Sequence, residues 1–292
     1  MTAIAEQAPR AKSVQHRQAM PALLLLPALI WIAVFFLLPL VLMCWRSLAA
    51  ESYSFKAYWI VFSSPLYTKV MLTTLESASI ATVLALLLAY PMAYTLTITS
   101  GMLRGLLLML VFIPYWVDII VRTFSWLILL GDHGLINVLL RKLGIVHGSL
   151  PLLYSEFAVL VGMVQILLPL TIVVLFGAML RIDRTLISAA KIHGASGWNA
   201  FRTVFFPLSL PGVYGAALLV FVLSLGFYVT PALLGSPRQT MIAQTIMVEA
   251  SELLDWGQAS AAGLLLLIMT TLIAAIYNRY FSLDRLWGGS DA

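Results

Sequence analysis

The sequence predicts an all-α integral membrane protein with six transmembrane helices, and three observations carry that expectation. Apolar residues make up 62% of the chain and charged residues only 10%. Its mean hydropathy is +0.99, far outside the usage of soluble domains. Six apolar stretches are each long enough to cross a hydrocarbon core of about 30 Å as a helix, and charged, Gly and Pro residues collect between them.

Taken in order, residues 1–19 are polar, contain Arg10, Lys12 and Arg17, and lack apolar periodicity. They read as a tail. Residues 20–45 are apolar for longer than a signal-peptide core and lack a small-residue cleavage site, so they form a retained first span. Pro27 and Pro39 are expected to bend it. Residues 51–69, with Tyr53, Tyr58, Trp59 and Tyr67, form a mixed polar and aromatic loop suited to the headgroup boundary. The second span covers about 70–98, a tight turn at 101–104 follows, and the third span covers about 105–130. Within the next loop, 135–143 reads as an amphipathic surface helix. The fourth span is about 157–180 and the fifth about 208–230. Residues 234–257 are polar, the sixth span is about 258–280, and 282–292 form a second tail.

Six crossings put both ends of the chain on one side. Segments on that side carry ten Lys/Arg, among them Arg104, Arg181, Arg184, Lys191 and Arg202, against six on the other. The excess assigns the termini and the loop after the fourth span to the cytoplasm.

Other classes are disfavoured. Cys44 is the single cysteine, which excludes an intrachain disulfide and every multi-Cys metal site. His16, His133, His147 and His193 fall in separate segments without ligand spacing, so no metal is expected. The net charge of +5 sits beside apolar runs and forms no patch for nucleic acid.

Three charges fall inside the spans: Glu76, Asp118 and Arg122. On insertion scales each costs about 2.5–3.5 kcal/mol at a helix centre, so each needs a partner or a water-lined path. Asp118 and Arg122, four apart, can pair on one helix face. One reading makes Glu76, Asp118, Arg122 and the neighbouring Tyr115, Trp116 and Trp126 candidates to line a translocation path. The other has Asp118 and Arg122 neutralise each other while Glu76 faces headgroup water.

The loop from Asp183 to Gly212 is the longest charged, punctuated segment between two apolar runs. Asp183 can cap a helix from Arg184, and Gly194 can end it in the left-handed conformation. Ser196 can cap a second helix from about Gly197 to Phe206, closed by Pro207. Leu186, Ala189, Ala190 and His193 share one face of the first helix, a shallow surface that suits docking.

This pattern resembles the cytoplasmic EAA loop of the permease subunits of binding-protein-dependent ABC importers. Ser188, Ala189, Ala190, Gly194, Ala195 and the stretch 207–211 occupy the family's places, with Ser188 where the family has Glu. The resemblance covers about 67–281 and extends to YPMAY at 90–94, PYWVDIIVRTFSW at 114–126, GDHGLIN at 131–137 and GFYVTPALLGSPRQTMI at 226–242. In these segments the chain is most similar to the spermidine/putrescine permease group. The resemblance implies a type I ABC importer permease fold in a bacterial inner membrane, with 181–207 as the ATPase-coupling loop. It also implies a second permease subunit in a heterodimer, two ATPase subunits and an extracytoplasmic substrate-binding protein. The solute implied is a polyamine or related cationic or polar compound.

The chain has no G-x-x-x-x-G-K-[ST] sequence, so it cannot cradle a phosphate in that way. It is therefore expected not to be an enzyme and to hold no cofactor of its own, with ATP and its Mg²⁺ bound by a partner. The alternative is an ion-coupled secondary transporter that uses the buried carboxylates as coupling sites. A membrane-embedded enzyme would need a nucleophile, base or metal set near one face, and none is apparent.

Overall fold

Lipid offers no hydrogen bonds, so each crossing must satisfy its own backbone by folding into helix. The computed structural model describes residues 19–49 and 55–281, and among these every regular element is helical. The tails expected at 1–19 and 282–292, Ala19 aside, and Tyr53 lie outside the described residues.

The first span is α1 (Ala19–Ile32), a π turn at Ala33–Leu37, and α2 (Leu38–Ala49). The π turn ends two residues before Pro39. A proline ring clashes with the carbonyl four residues back, and widening the preceding turn moves that carbonyl aside. The loop expected over 51–69 is largely helical instead: α3 (Lys56–Ser63) leads into α4 (Pro65–Ile98). Pro65 opens α4 because its fixed φ and missing N–H suit a first turn. The turn expected at 101–104 is likewise the first turn of α5 (Gly101–Phe112).

The third span is not one helix. After α5 comes a 3₁₀ turn at Ile113–Trp116, an extended Val117, and then α6 (Ile119–Leu130). At about 18 Å each, α5 and α6 must be stacked to cross the membrane. The amphipathic helix expected next is α7 (Leu135–Lys142). Buried Asn137 staples its loop: the side-chain amide donates to Gly131 O and Leu150 O, and Leu150 N donates back to Asn137 Oδ1. The fourth span is α8 (Glu156–Met179), N-capped by Ser155.

Beyond α8 lie α9 (Arg184–Ile192), α10 (Gly197–Ala200), a π turn at Phe201–Phe205 and α11 (Phe206–Leu225). Pro207 therefore does not close the second loop helix. As at Pro39, a π turn ends two residues before the proline and the helix runs through. The fifth span stops at Leu225, short of the expected 230, and α12 (Val229–Leu234) is separate. The polar segment 234–257 is no simple loop either, since it holds a 3₁₀ turn at Pro237–Gln239 and α13 (Ile242–Ser251). The last span is α14 (Trp256–Phe281).

Packing centres on α4 and α8. Ala78, Ala81, Ala85, Ala89 and Ala93 are 0% exposed and form a ridge low enough for close backbone approach. One cluster joins Ala81 and Ala85 to Val159, Met163 and Leu167. Another joins Ala89, Ala93 and Leu96 to Ile172, Leu175 and Met179. The two helices therefore run parallel. Ala216 and Val220 of α11 join those clusters in reverse order, so α11 runs antiparallel. Val61, Tyr67, Val70, Ile242 and Ala262 form a third cluster at the start of α4, where α14 also begins. Arg46 of α2 stacks over the Trp256 ring at 5.0 Å. Ala19 and Phe281 consequently lie at the end of the bundle where α8 gives way to α9.

Gly162 lets α12 press against α8: a Cβ there would stand 2.5 Å from Thr230 Cγ2 and 2.8 Å from Leu234 Cδ1. Both neighbours are buried. Gly162→Ala is expected to cost about 1–3 kcal/mol by overpacking and to lower the thermal unfolding midpoint in detergent. Gly177→Ala on the same helix, with open space around it, is expected to leave the midpoint unchanged or slightly raised.

Candidate functional site

Two arrangements stand out, one at each level of the bundle. The first is the elbow between the fourth and fifth spans. Asp183 Oδ1 caps α9 by accepting from Thr185 N at 2.8 Å, and this bonding from Thr185 holds its carboxyl below the usual range. Gly194, at φ +86°, turns the chain in a conformation that penalises any Cβ. Ser196 Oγ caps α10, accepting from Asn199 N at 3.2 Å. Ser188, Ala189 and Gly194 are exposed, whereas Ala190 and Ala195 are half-buried. The Ser188 hydroxyl turns back to donate to Arg184 O at 3.2 Å. Ile192 (84% exposed) and Trp198 (68%) give the surface an apolar margin.

Aromatic contacts fasten the elbow to the bundle. Tyr94 of α4 meets Phe201 and Phe205 edge-on, with centroids 5.1 and 4.9 Å away. Tyr90 shares a 2.8 Å hydrogen bond with Ser209. The YPMAY segment thus joins the end of α4 to the π turn that follows α10. Beside the elbow, a cavity of about 610 Å³ is lined by Gly177, Ala178, Leu186, Leu208 and Pro211.

The second arrangement is a pair of helix breaks within the spans. Asp118 does not pair with Arg122 across one helical turn, because Asp118 is the residue before α6. Its Oδ1 accepts from Ile120 N at 2.8 Å, supplying one of the acceptors that a helix start at membrane depth requires. Arg122 is half-buried, and its Nε and Nη1 are shut from solvent without a hydrogen-bond partner. Tyr115 and Trp116, the latter 88% exposed, stand on the 3₁₀ turn.

The other break, at 226–228, precedes α12. Sequence reasoning missed it, although Gly226 and Pro231 mark the place. Helices α6 and α12 pack against each other, with the Thr123 and Thr230 hydroxyls 3.5 Å apart. Discontinuous spans of this kind are where membrane transporters expose backbone to a pathway. Tyr115, Trp116, Asp118 and Arg122 therefore gather at one break. Trp126 is half-buried and packs against the cluster of Leu130, Ala158 and Leu234. Glu76 is exposed on α4, and among the described residues no hydrogen bond or ion pair joins it to Asp118 or Arg122.

A third polar group was not anticipated. Glu249 is only 6% exposed and accepts from the Tyr67 hydroxyl. Its signal was its spacing, seven residues after buried Ile242 on the same helix face. Among the described residues no three His, Cys, Asp or Glu side chains converge as a metal site would require.

Residues 81–283 match the family model described as "Binding-protein-dependent transport system inner membrane component". The chain is 30% identical over 256 residues to the spermidine/putrescine transport system permease protein PotB of Haemophilus influenzae, covering 85% of this chain and 90% of that protein. With PotB of Escherichia coli it shares 30% identity over 215 residues, 74% of this chain and 78% of that one. In fold it is similar to a chain of a bacterial alginate ABC transporter solved in complex with an alginate pentasaccharide-bound periplasmic protein. That match has a TM-score of 0.74 at 18% identity and covers 90% of this chain and 94% of the other.

The cap and the charge of Asp118 are separable, since Asn caps helices about as well as Asp. Asp118→Ala is expected to cost about 1 kcal/mol in thermal unfolding of the purified chain, and Asp118→Asn only a few tenths. Equal losses would mean that capping is not what the side chain contributes.

Proposed function

This chain belongs to the family of binding-protein-dependent transport system inner membrane components, and from that premise we propose that it imports a polyamine or related cationic solute, coupled through its elbow to a separate ATPase. It is a multi-pass permease subunit of an ABC importer. A second, non-identical permease completes the path, two ATPase subunits hold ATP and Mg²⁺, and an extracytoplasmic binding protein delivers the solute.

The observation that carries this reading is the elbow. Docking requires an exposed, rigid surface, and α9 provides one, capped by Asp183, turned by Gly194 and presenting Ser188 and Ala189. Coupling requires that a push on that surface reach the spans. The contacts of Tyr94 with Phe201 and Phe205 supply the mechanical link to α4. The Lys/Arg excess on the elbow's side supports a cytoplasmic elbow and cytoplasmic termini.

The polyamine assignment draws on the likeness to the two PotB proteins and on the carboxylates. Asp118 is exposed and spends one oxygen on its cap, while Glu76 stands exposed on α4. Both attract cations entering a low-dielectric path. Tyr115 and Trp116 offer ring faces for ammonium groups beside Asp118.

The test uses the chain reconstituted with its permease and ATPase partners in proteoliposomes. Ala189 is exposed, so Ala189→Asp leaves the fold intact and puts an unmatched charge into the docking surface. ATPase retained in a pull-down and ATP-driven uptake of radiolabelled spermidine are each expected to fall at least tenfold. Undiminished retention would remove the elbow from coupling. Uptake by the chain without any ATPase would instead favour the ion-coupled transporter.

A further inference from the structure

At the end of the bundle opposite the elbow, a cavity of about 370 Å³ lies between the first turns of α4, the 3₁₀ turn at Pro237–Gln239 and α13. Helix α13 is pinned there: Ile242 N donates to Thr74 Oγ1 at 2.8 Å, and Ile242 packs with Val70. The helical period that buries Ile242 brings Glu249 round to the same side.

Glu249 lines this cavity and has one carboxyl oxygen engaged and one not. Its Oε1 accepts from Tyr67, whereas Oε2 is buried without a hydrogen-bond partner among the described residues. Gln244 lines the same cavity, and its Oε1 is also buried and unpartnered. Two side chains that line one cavity thus each carry an orphaned acceptor, which is costly, and a group bringing donors relieves them once the side chains turn toward it. Burial pushes the Glu249 carboxyl above its usual range, and the Tyr67 hydrogen bond opposes that rise, so the arriving group is stabilised further if it is cationic. A primary ammonium supplies three donors and a positive charge at one atom. Lys69 and Arg238 line the cavity too, both exposed and neither forming an ion pair with Glu249. They repel a second cation and suit an anion.

The depth is also informative. At 34 residues α4 is about 51 Å long, against a hydrocarbon core of about 30 Å. The surplus lets its first turns reach headgroup level, where the exposed charges of Lys69 and Arg238 are accommodated.

We propose that this cavity binds a zwitterion whose primary ammonium is taken up by the side chains of Glu249 and Gln244 while its anionic end rests with Lys69 and Arg238, the chemistry of a phosphoethanolamine group. That group reaches the site either on a phospholipid or as a free molecule. The site stands on the orphaned oxygens and does not depend on which solute is imported.

The experiment places the full chain in nanodiscs and measures retained lipid by native mass spectrometry. Phosphatidylcholine is the control, because its trimethylammonium has the same charge but no N–H donor. In mixed nanodiscs the wild-type chain is expected to retain phosphatidylethanolamine at least fivefold over phosphatidylcholine. A second arm titrates O-phosphoethanolamine into phosphatidylcholine nanodiscs by calorimetry. Lipid preference without saturation by the free compound assigns the lipid source, and saturation without lipid preference assigns the free one. Glu249→Gln, nearly isosteric and relieved of a buried charge, is expected to abolish the binding. Lys69→Met with Arg238→Gln, both at exposed positions, is expected to weaken it at least fivefold even if Glu249→Gln fails to fold. Equal retention of the two lipids together with no saturation, as when a water fills the site, overturns the proposal. So does binding that survives Glu249→Gln or the double substitution.

Discussion

The bundle depends on one constraint: within lipid every backbone N–H and C=O must find a partner inside the protein. The chain meets it in two ways at its irregular points. Where a proline falls within a span at Pro39 or Pro207, the preceding turn widens to π geometry and the helix continues. At 113–118 and 226–228 the helix stops and restarts. The restart at Ile119 is secured by the Asp118 carboxylate, and α6 and α12 then lean on one another through Thr123 and Thr230. The two full helix breaks thus precede one packed pair of elements, α6 and α12, which is where a pathway can tolerate them.

Helix α4 connects the two ends. Its alanine ridge seats it on α8, its final turns hold the elbow through Tyr90 and Tyr94, and its first turns hold α13 through Thr74 and Tyr67. Close-packed interiors repack between discrete arrangements more readily than they deform continuously. Helix α4 is thus one continuous packed element from the elbow to α13.

How much of this was legible in the sequence follows from what hydropathy and turn chemistry record. Six crossings were legible because apolar length reports membrane thickness, and the caps at Asp183, Ser196 and Gly194 were legible because they are local. The break after α5 was hidden, since apolar residues surround it and Asp118 on a continuous helix pairs naturally with Arg122. Helix through Pro207 was hidden because a π turn leaves no residue signature. Glu249 fell within 234–257, a segment that reads from composition simply as polar. Its burial became visible only once 242–251 was helical, so that spacing from Ile242 decided its side.

Apolar surface alone cannot say what covers a face in a membrane, because a lipid tail and a neighbouring helix are equally apolar. The span Leu25–Leu48 illustrates this, being almost entirely uncovered by its own chain and almost uniformly apolar. The face at the third-span break differs in kind. Tyr115, Trp116 and Asp118 are exposed there, and Arg122 brings two nitrogens that no group among the described residues satisfies. An always-charged guanidinium cannot escape by losing its proton, so the two buried nitrogens of Arg122 carry a desolvation cost that no described group offsets. The polar demand of Arg122 therefore sets this face apart from the apolar first span, whose exposed surface asks for nothing that lipid cannot supply.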